Sequence, residues 1–271
     1  MGYLKEKNGH YSATPISKSF FSDSTARMND IFELYSGLFD FIRSHHEEAA
    51  RSGRPEISAF EWFDQNPRMW NLFHSFEMSI AKTIEKDVVS KVKFDSTTRR
   101  LLDVGGGHGL YSIMLCKRHP ELHATVFDSP KPLEQTKSII ESEQMTKQVS
   151  VQAGNFFVDD LGKGYDAALL FNIIHLFTAE KNLQLLKKVA TALNPGGRLV
   201  IFDQFLGGEF GRVLRTAHTF YGLFFLVTTG GQVYTFDEMT EFLAAAGFAR
   251  PIKKPIRTAG SDLVFATKTA S

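Results

Sequence analysis

Apolar side chains recur at helical spacing through the first third of the chain, then give way after Arg100 to short apolar runs separated by amphipathic stretches. In the first part Phe32, Leu34, Tyr35, Leu38, Phe39 and Ile42 fall on one predicted helical face, and Trp70, Phe73, Phe76, Met78, Ile80 and Ile84 mark a second helix. Ahead of both, Tyr3-Leu4 and His10-Tyr11 flank Asn8-Gly9, a pair that turns a tight hairpin. A hairpin opening a chain has little to pack on, so a preceding segment or a partner surface is expected beside it. Beyond Arg100 the pattern predicts strands at 101–104, 124–127, 150–153, 167–171, 198–203 and 262–267, with helices over 110–118, 130–143, 178–193, 212–228 and 235–246. That alternation is the mark of an α/β domain with a parallel sheet and helices on both faces. The predicted division is a mainly helical region over 1–98 followed by the α/β domain over 99–271, with no repeat or low-complexity linker.

Composition works mainly by exclusion. A chain of 271 residues, 43% hydrophobic and 23% charged, can bury a full core. Its 31 basic and 30 acidic residues leave a formal charge of +1, so no large field calls for nucleic acid or an anionic membrane, and a small or neutral substrate is expected. Cys116 is the only cysteine, which excludes an internal disulfide and a cysteine-rich metal site and fits a reducing, cytoplasmic setting. The nine histidines are scattered without metal-ligand spacing. The chain opens without an apolar signal core, and no stretch reaches the roughly 20 apolar residues that cross a bilayer. The 25 phenylalanines serve either the core or a pocket for a flat, apolar ligand.

The chemistry starts at the first strand of the α/β part, where Leu101-Leu102-Asp103-Val104 runs into Gly105-Gly106-Gly107-His108-Gly109 and then a helix. Strand, glycine turn and helix N-terminus let the backbone approach a ligand and offer it free N–H groups; a tight turn without a ligand is the plain alternative. Dinucleotide binders space their glycines G-x-G-x-x-G, with an acid about 20 residues on. Here the order is G-G-G-x-G, with Asp103 in front. That carboxylate would repel a pyrophosphate and suits the ammonium of an amino-acid-bearing cofactor, so charge favours S-adenosylmethionine over a nicotinamide. Asp128 ends the next strand, where it can accept from ribose hydroxyls or cap the helix starting at Pro130. After the third strand, Asn155 can pair with an adenine edge and Phe156 cover its face, or both can be ordinary loop residues.

Taken in order, Leu102 to Gly109, Val126-Phe127-Asp128, Gly154-Asn155-Phe156-Phe157, Asn172-Ile173-Ile174-His175 and Leu193-Asn194-Pro195-Gly196-Gly197-Arg198 resemble the plant and bacterial small-molecule O-methyltransferases. The resemblance runs from about residue 3 to the C-terminus. It implies a Rossmann-like class I methyltransferase fold that binds S-adenosylmethionine through Asp103, Gly105, Gly107, Asp128, Asn155, Phe156 and Asn172. In that family a winged-helix region precedes the catalytic domain and forms an intertwined homodimer. Asn8 to Pro15 is similar to its wing hairpin, so the chain is read as beginning inside that region, and dimerisation is left in question.

His175 lies just past the C-terminal end of the strand at 167–171, where open α/β sheets place ligands, and a neutral imidazole there can take a hydroxyl proton as the oxygen attacks a methyl donor. The resemblance makes it the catalytic base; a hydrogen-bonded structural histidine is the alternative. The family's acidic neighbours are read as replaced by Leu176, Gln204 and Val233, and strand alternation is read as turning Asp203 to the other face. The acceptor pocket is expected from Trp70, Met78, His218, Tyr221 and Phe224, with Met78 and Phe224 as the clamp, unless these side chains are simply core. The leading expectation is an O-methyltransferase acting on a hydroxylated aromatic small molecule, with no metal, membrane or nucleic acid. The rivals are carbon or nitrogen methylation, and a protein that binds S-adenosylmethionine without methyl transfer.

Overall fold

The computed structural model describes residues 4–15, 27–207 and 211–269, with backbone alone at 27–28 and 211–215. Leu4–Lys7 (β1) and His10–Ala13 (β2) form the expected hairpin, turned by Asn8 and Gly9 at φ of 56° and 74°, the double left-handed turn that suits the twist of paired strands. Tyr3 lies outside the described residues. Three helices follow: Arg27–Ser52 (α1), Ala59–Gln65 (α2) and Pro67–Lys91 (α3). The sequence pattern passes over α2 although its start is written in Ser58 and Glu61, which close a reciprocal capping box. On α1 the buried positions are Leu34, Leu38, Phe41 and Ala49, while Phe32 and Phe39 are exposed. The predicted face holds at Leu34 and Leu38, with Tyr35 and Ile42 half-buried, and fails at Phe32 and Phe39, because apolar residues cover so much of this helix that spacing alone draws the stripe too wide.

The α/β part is a seven-stranded sheet. Its strands in chain order are Arg100–Val104 (β3), His123–Asp128 (β4), Val149–Ala153 (β5), Tyr165–Phe171 (β6), Leu193–Asp203 (β7), Phe248–Ile256 (β10) and Ser261–Lys268 (β11). The spatial order is β10-β11-β7-β6-β3-β4-β5. Strands β3 to β7 are parallel, and β11 inserts antiparallel beside β7 with β10 on its far side. Of these strands the sequence pattern misses only β10. Pro251 and Pro255 lack a ladder donor and argue against a central strand, and β10 is the edge, where proline is tolerated.

Helices Leu110–Arg118 (α4), Pro130–Ser142 (α5), Ala179–Ala192 (α6), Gly211–Thr229 (α7) and Phe236–Ala245 (α8) complete the unit. A parallel pair, Phe205–Leu206 (β8) with Tyr234–Thr235 (β9), ties the two ends of the α7 segment together. Alternation along the strands divides the core. Leu101, Val126, Leu169, Val200 and Phe202 pack under α4 and α5 together with Ala81, Ile84, Val88 and Val89 of α3. Leu102, Val104, Leu170, Leu199 and Ile201 pack under α6 and α8 with Ile173 and Ile174. A third cluster holds Leu34, Phe63, Trp70 and Leu72, with Phe224 of α7 against it. Helix α3 thus contributes side chains both to the helical cluster and to the sheet core. The single thiol, Cys116, is buried in the sheet core and pushed up to about 12 by burial, which makes it inert.

Candidate active site

Strand β3 is where the winding reverses: the chain steps to β4 and β5 on one side, then crosses to β6 and β7 on the other. Helices cannot close over both neighbours at such a point, so a crevice opens at the C-terminal strand ends. The glycine turn sits in it. Gly105, Gly107 and Gly109 have φ of 69°, 48° and 69°, which L side chains adopt only with strain. A Cβ on Gly106 would lie 2.6 Å from Asp103 Cγ, and one on Gly105 would overlap the Ile173 side chain. Around Gly107 there is open space, the cradle that a close ligand needs.

Asp103 lies beneath this turn, 2% exposed, with one oxygen accepting from Ser112 Oγ at 2.6 Å. Burial pushes its carboxyl up to about 7, against the Ser112 hydrogen bond, with Asp128 adding like charge. Asp128 does not cap α5, whose N-cap is Ser129. Its Oδ2 accepts from Gly107 N at 2.8 Å and its Oδ1 from Ser129 N at 2.7 Å, so it holds the glycine turn to the end of β4; burial raises its carboxyl too. Four lone pairs against two protein donors leave it capacity for hydroxyls. Asn155 is exposed, with Oδ1 closing a local turn to Phe157 N at 2.9 Å and its amide nitrogen without an acceptor among the described residues. Phe156 reaches to 3.8 Å from a Cβ on Gly105 and packs on Phe157 and Phe177. Asn172 follows β6 at φ 57° and turns the chain back over Phe202. Gly105, Gly107, Asp128, Asn155, Phe156 and Asn172 stand at the C-terminal ends of β3 to β6, and a carboxylate, open backbone and an aromatic edge are the groups that a nucleoside with an amino-acid tail would use. A surface hollow of about 110 Å³, lined by Arg100, His123, Gln148 and Tyr165, lies at the opposite strand ends, where open sheets do not bind ligands.

The turn at Asn172 leads into a short 3-10 segment, Ile174–Leu176, that carries His175, 7% exposed. Its Nδ1 is 2.6 Å from Asp203 Oδ1. The same carboxylate accepts from Gln204 N at 2.8 Å, Ile174 N at 3.0 Å and His175 N at 3.3 Å. The reading that Asp203 faces away is thus corrected. Alternation does put Leu199, Ile201 and Asp203 on one face of β7, but the chain after β6 folds onto that face, with Ile173 and Ile174 packed there. Gln204 Oε1 is buried without a hydrogen bond, and Val233 is core. The His175 ring stacks on Phe225, centroids 3.9 Å apart and planes 23° apart. With Nδ1 committed to Asp203, Nε2 is the nitrogen able to take a proton.

Two further residues near this turn do not stand out in the sequence. A Cβ on Gly231 would overlap the His175 carbonyl oxygen and lie 2.5 Å from the Leu176 carbonyl carbon, so only glycine lets the end of α7 approach. Glu77, on α3, is half-buried; burial raises its carboxyl, with His175 opposing, and beyond burial its charge helps raise the Tyr35 and Tyr111 hydroxyls. A lone acid among Phe73, Phe76, Met78 and Ile80 is the signal that marks it.

The expected pocket residues separate. Met78 packs at the edge of the sheet core beside Glu77, Phe224 meets Phe225 edge-on at 5.5 Å, and Tyr221 is 42% exposed with its ring 6.3 Å from Phe225. Trp70 is 9% exposed within the cluster of Phe60, Phe63 and Phe73, and His218 is 2% exposed with Nε2 on Gly260 O at 2.9 Å. Both have packing or hydrogen-bonding duties that account for them. Among the described residues no group of histidine, cysteine or acidic side chains is placed to hold a metal ion, and no helix is long and apolar enough to cross a membrane.

A doubly wound sheet with an antiparallel strand beside β7, a glycine turn at the reversal point and an acid ending the adjacent strand define a class I methyltransferase fold. The chain belongs to the O-methyltransferase domain family, which it matches over residues 35–249. An L-tyrosine C(3)-methyltransferase of Streptomyces lavendulae is 28% identical over 91% of this chain and 70% of its own length. A 3-hydroxy-5-methyl-1-naphthoate 3-O-methyltransferase of Streptomyces sahachiroi is 26% identical over 91% of this chain and 72% of its length. Among solved structures, an O-methyltransferase from neocarzinostatin biosynthesis in complex with S-adenosylmethionine and 2-hydroxy-5-methyl naphthoic acid has a TM-score of 0.83 at 21% identity, covering 100% of this chain and 81% of that one. The protein is an S-adenosylmethionine-dependent methyltransferase, and S-adenosylmethionine is its cofactor.

Proposed function

We propose that the protein methylates a hydroxyl oxygen of a small aromatic acceptor in secondary metabolism, with His175 as general base. The observation that carries this is the 2.6 Å contact of His175 Nδ1 with Asp203 beside the cofactor crevice. Bound S-adenosylmethionine supplies a methyl group on a sulfonium, already a strong electrophile. What the chain must add is position and a proton acceptor. The open backbone at Gly107, in the turn that Gly105 begins, admits the cofactor's amino-acid end, with Asp103 beneath for its ammonium. Asp128 takes the ribose hydroxyls, the Asn155 amide meets the adenine edge, Phe156 covers the ring, and Asn172 shapes the floor. Met78, Tyr221, Phe224 and Phe225 hold a planar acceptor, whose hydroxyl proton passes to His175 Nε2 as its oxygen takes the methyl. Asp203 fixes the tautomer that leaves Nε2 free and stabilises the imidazolium that results. Acceptors named for the relatives are aromatic and hydroxylated, which supports the same class here.

The tyrosine methylating relative favours carbon as a second reading, since a deprotonated phenol is nucleophilic at oxygen and at the adjacent carbon. Carbon-13 NMR of products formed from methyl-labelled S-adenosylmethionine and a panel of phenols and naphthols separates the two. A label on oxygen is expected; a label on ring carbon replaces the oxygen reading, and no labelled product from any acceptor sinks both.

A further inference from the structure

Asn182 lies on α6, one turn past the Thr178 N-cap, and none of its surface is exposed. Helix side chains lean toward the N-terminus, so this one reaches back over the segment that leads into α6. That segment carries His175. Asn182 Nδ2 donates to Ile174 O at 2.8 Å and to Phe177 O at 3.1 Å, the carbonyls that bracket His175 and Leu176. Tyr234 of β9, 1% exposed, adds its hydroxyl to Phe177 O at 2.7 Å. From β7, Asp203 takes the N–H groups of Ile174 and His175 at 3.0 and 3.3 Å and the ring Nδ1 at 2.6 Å. The backbone around His175 is thus held by its carbonyls from α6 and by its N–H groups from β7. Its own bonds are few: Leu176 N reaches Ile173 O at 3.1 Å and Phe177 N reaches Ile174 O at 3.4 Å, the poor geometry of a short 3-10 turn. Without the amide, Ile174 O keeps only that long bond, and Leu185, Leu186 and Val189 in the same cluster offer no donor. The amide's orientation follows, because turned over it would set its oxygen against two carbonyl oxygens. Its Oδ1 is buried with no hydrogen bond among the described residues, a cost that an apolar side chain avoids. An asparagine in this place is therefore explained by what its two donated bonds do for the turn.

We propose that Asn182 is a positioning residue for His175: it holds the segment 174–177 where the imidazole keeps Nδ1 on Asp203 and Nε2 free for the acceptor's proton. The inference deepens the methyl-transfer reading and rests on it. Asp203 sets the tautomer, and Asn182 sets the place of the backbone from which the ring reaches Asp203. The division matters because a displacement of about 1 Å in a reacting group costs up to about 100-fold in rate.

The test reads the ring itself, by nitrogen-15 NMR of histidine-labelled protein loaded with S-adenosylhomocysteine at alkaline pH, with the His175 signals assigned by their loss in His175→Gln. The wild type is expected to show Nδ1 protonated and Nε2 bare. Asn182→Leu keeps a branched side chain and removes both donors. It is expected to move the two His175 signals toward each other as tautomers mix, while His108 and His218, tied to Leu110 N and Gly260 O, hold theirs. Tyr234→Phe keeps its ring against Phe242 and removes one hydroxyl. It is expected to move the same signals by less, and it decides alone if Asn182→Leu fails to bind S-adenosylhomocysteine in calorimetry. His175 signals that move in neither variant overturn the proposal. So does a movement of His108 and His218 as large as that of His175, the mark of general loosening. Methyl transfer to the phenol and naphthol panel is followed in parallel: kcat is expected to fall by about 10-fold or more in Asn182→Leu with S-adenosylhomocysteine affinity retained, and an unchanged kcat beside a displaced ring also overturns the proposal. A wild type that methylates no acceptor, although its ring depends on Asn182, leaves the positioning of the ring standing and removes the methyl-transfer reading instead.

Discussion

At the scale of single residues the account turns on two buried acids with different duties. Asp203 spends its carboxylate on one imidazole and three backbone N–H groups. Replacing it by Asn offers Nδ1 a donor as readily as an acceptor, which disfavours the tautomer with Nε2 free. Asp203→Asn is expected to lower kcat by roughly 100-fold while KM for S-adenosylmethionine holds, measured by steady-state assay. An unchanged kcat would remove Asp203 from the mechanism. Asp103 gives a pH dependence. Its carboxyl sits at about 7 in the free protein, and an ammonium placed beside it lowers that value, so cofactor binding releases a proton whenever the group starts protonated. Affinity for S-adenosylhomocysteine is then flat above about pH 7 and weakens by up to about tenfold per unit below it. Calorimetry across that range checks the sign; affinity that does not change with pH would separate Asp103 from the ammonium. The sequence shows both acids, but tells their duties apart poorly. Asp103 is marked by its place before the glycines, whereas the role of Asp203 depends on which face of β7 the chain after β6 returns to, and no local pattern encodes that return.

At the scale of elements, the two glycine sites divide binding from chemistry. Gly105 needs its left-handed backbone and the space filled by Ile173, while Gly231 lets α7 end against the His175 turn. Gly105→Ala is expected to weaken S-adenosylhomocysteine binding by about tenfold or more, since strain and overlap each cost of order 1–3 kcal/mol. Gly231→Ala is expected to displace the His175 turn and lower kcat with cofactor binding retained. Calorimetry beside turnover assays reads both, and a Gly231→Ala variant that loses the cofactor instead would break the division. The glycine turn was legible because strand, turn and helix are contiguous, and β3 to β7 and β11 were legible because buried strands read as apolar runs. Strand β10 was not, because its two prolines are acceptable only at an edge, and edge position is a property of the assembled sheet. The exposure of Phe32 and Phe39 on α1 has the same origin: burial is decided by α7 and α3 packing on it, not by the helix itself.

At the scale of the whole molecule, α3 binds the helical region to the sheet. Trp62 and Trp70, the only tryptophans, lie in α2 and α3, away from the glycine turn, yet Ala81, Ile84 and Val88 of α3 belong to the sheet core. Unfolding is therefore expected to be a single transition. S-adenosylhomocysteine at about 100 times its Kd stabilises the folded state by about 2.7 kcal/mol, or about 5–10 °C for a chain of this size, and tryptophan fluorescence and far-UV circular dichroism are expected to shift together. An early fluorescence transition that ignores the ligand would instead show that the helical region and the sheet unfold as two independent parts.

The central claim is that His175 takes the acceptor's proton while the crevice beside it holds the cofactor. Single-turnover methyl transfer by wild type and His175→Ala, both saturated with S-adenosylmethionine, tests this most directly. The account predicts a rate lower by about 100-fold or more in the variant, with S-adenosylhomocysteine affinity unchanged. Equal rates in the two proteins would contradict it.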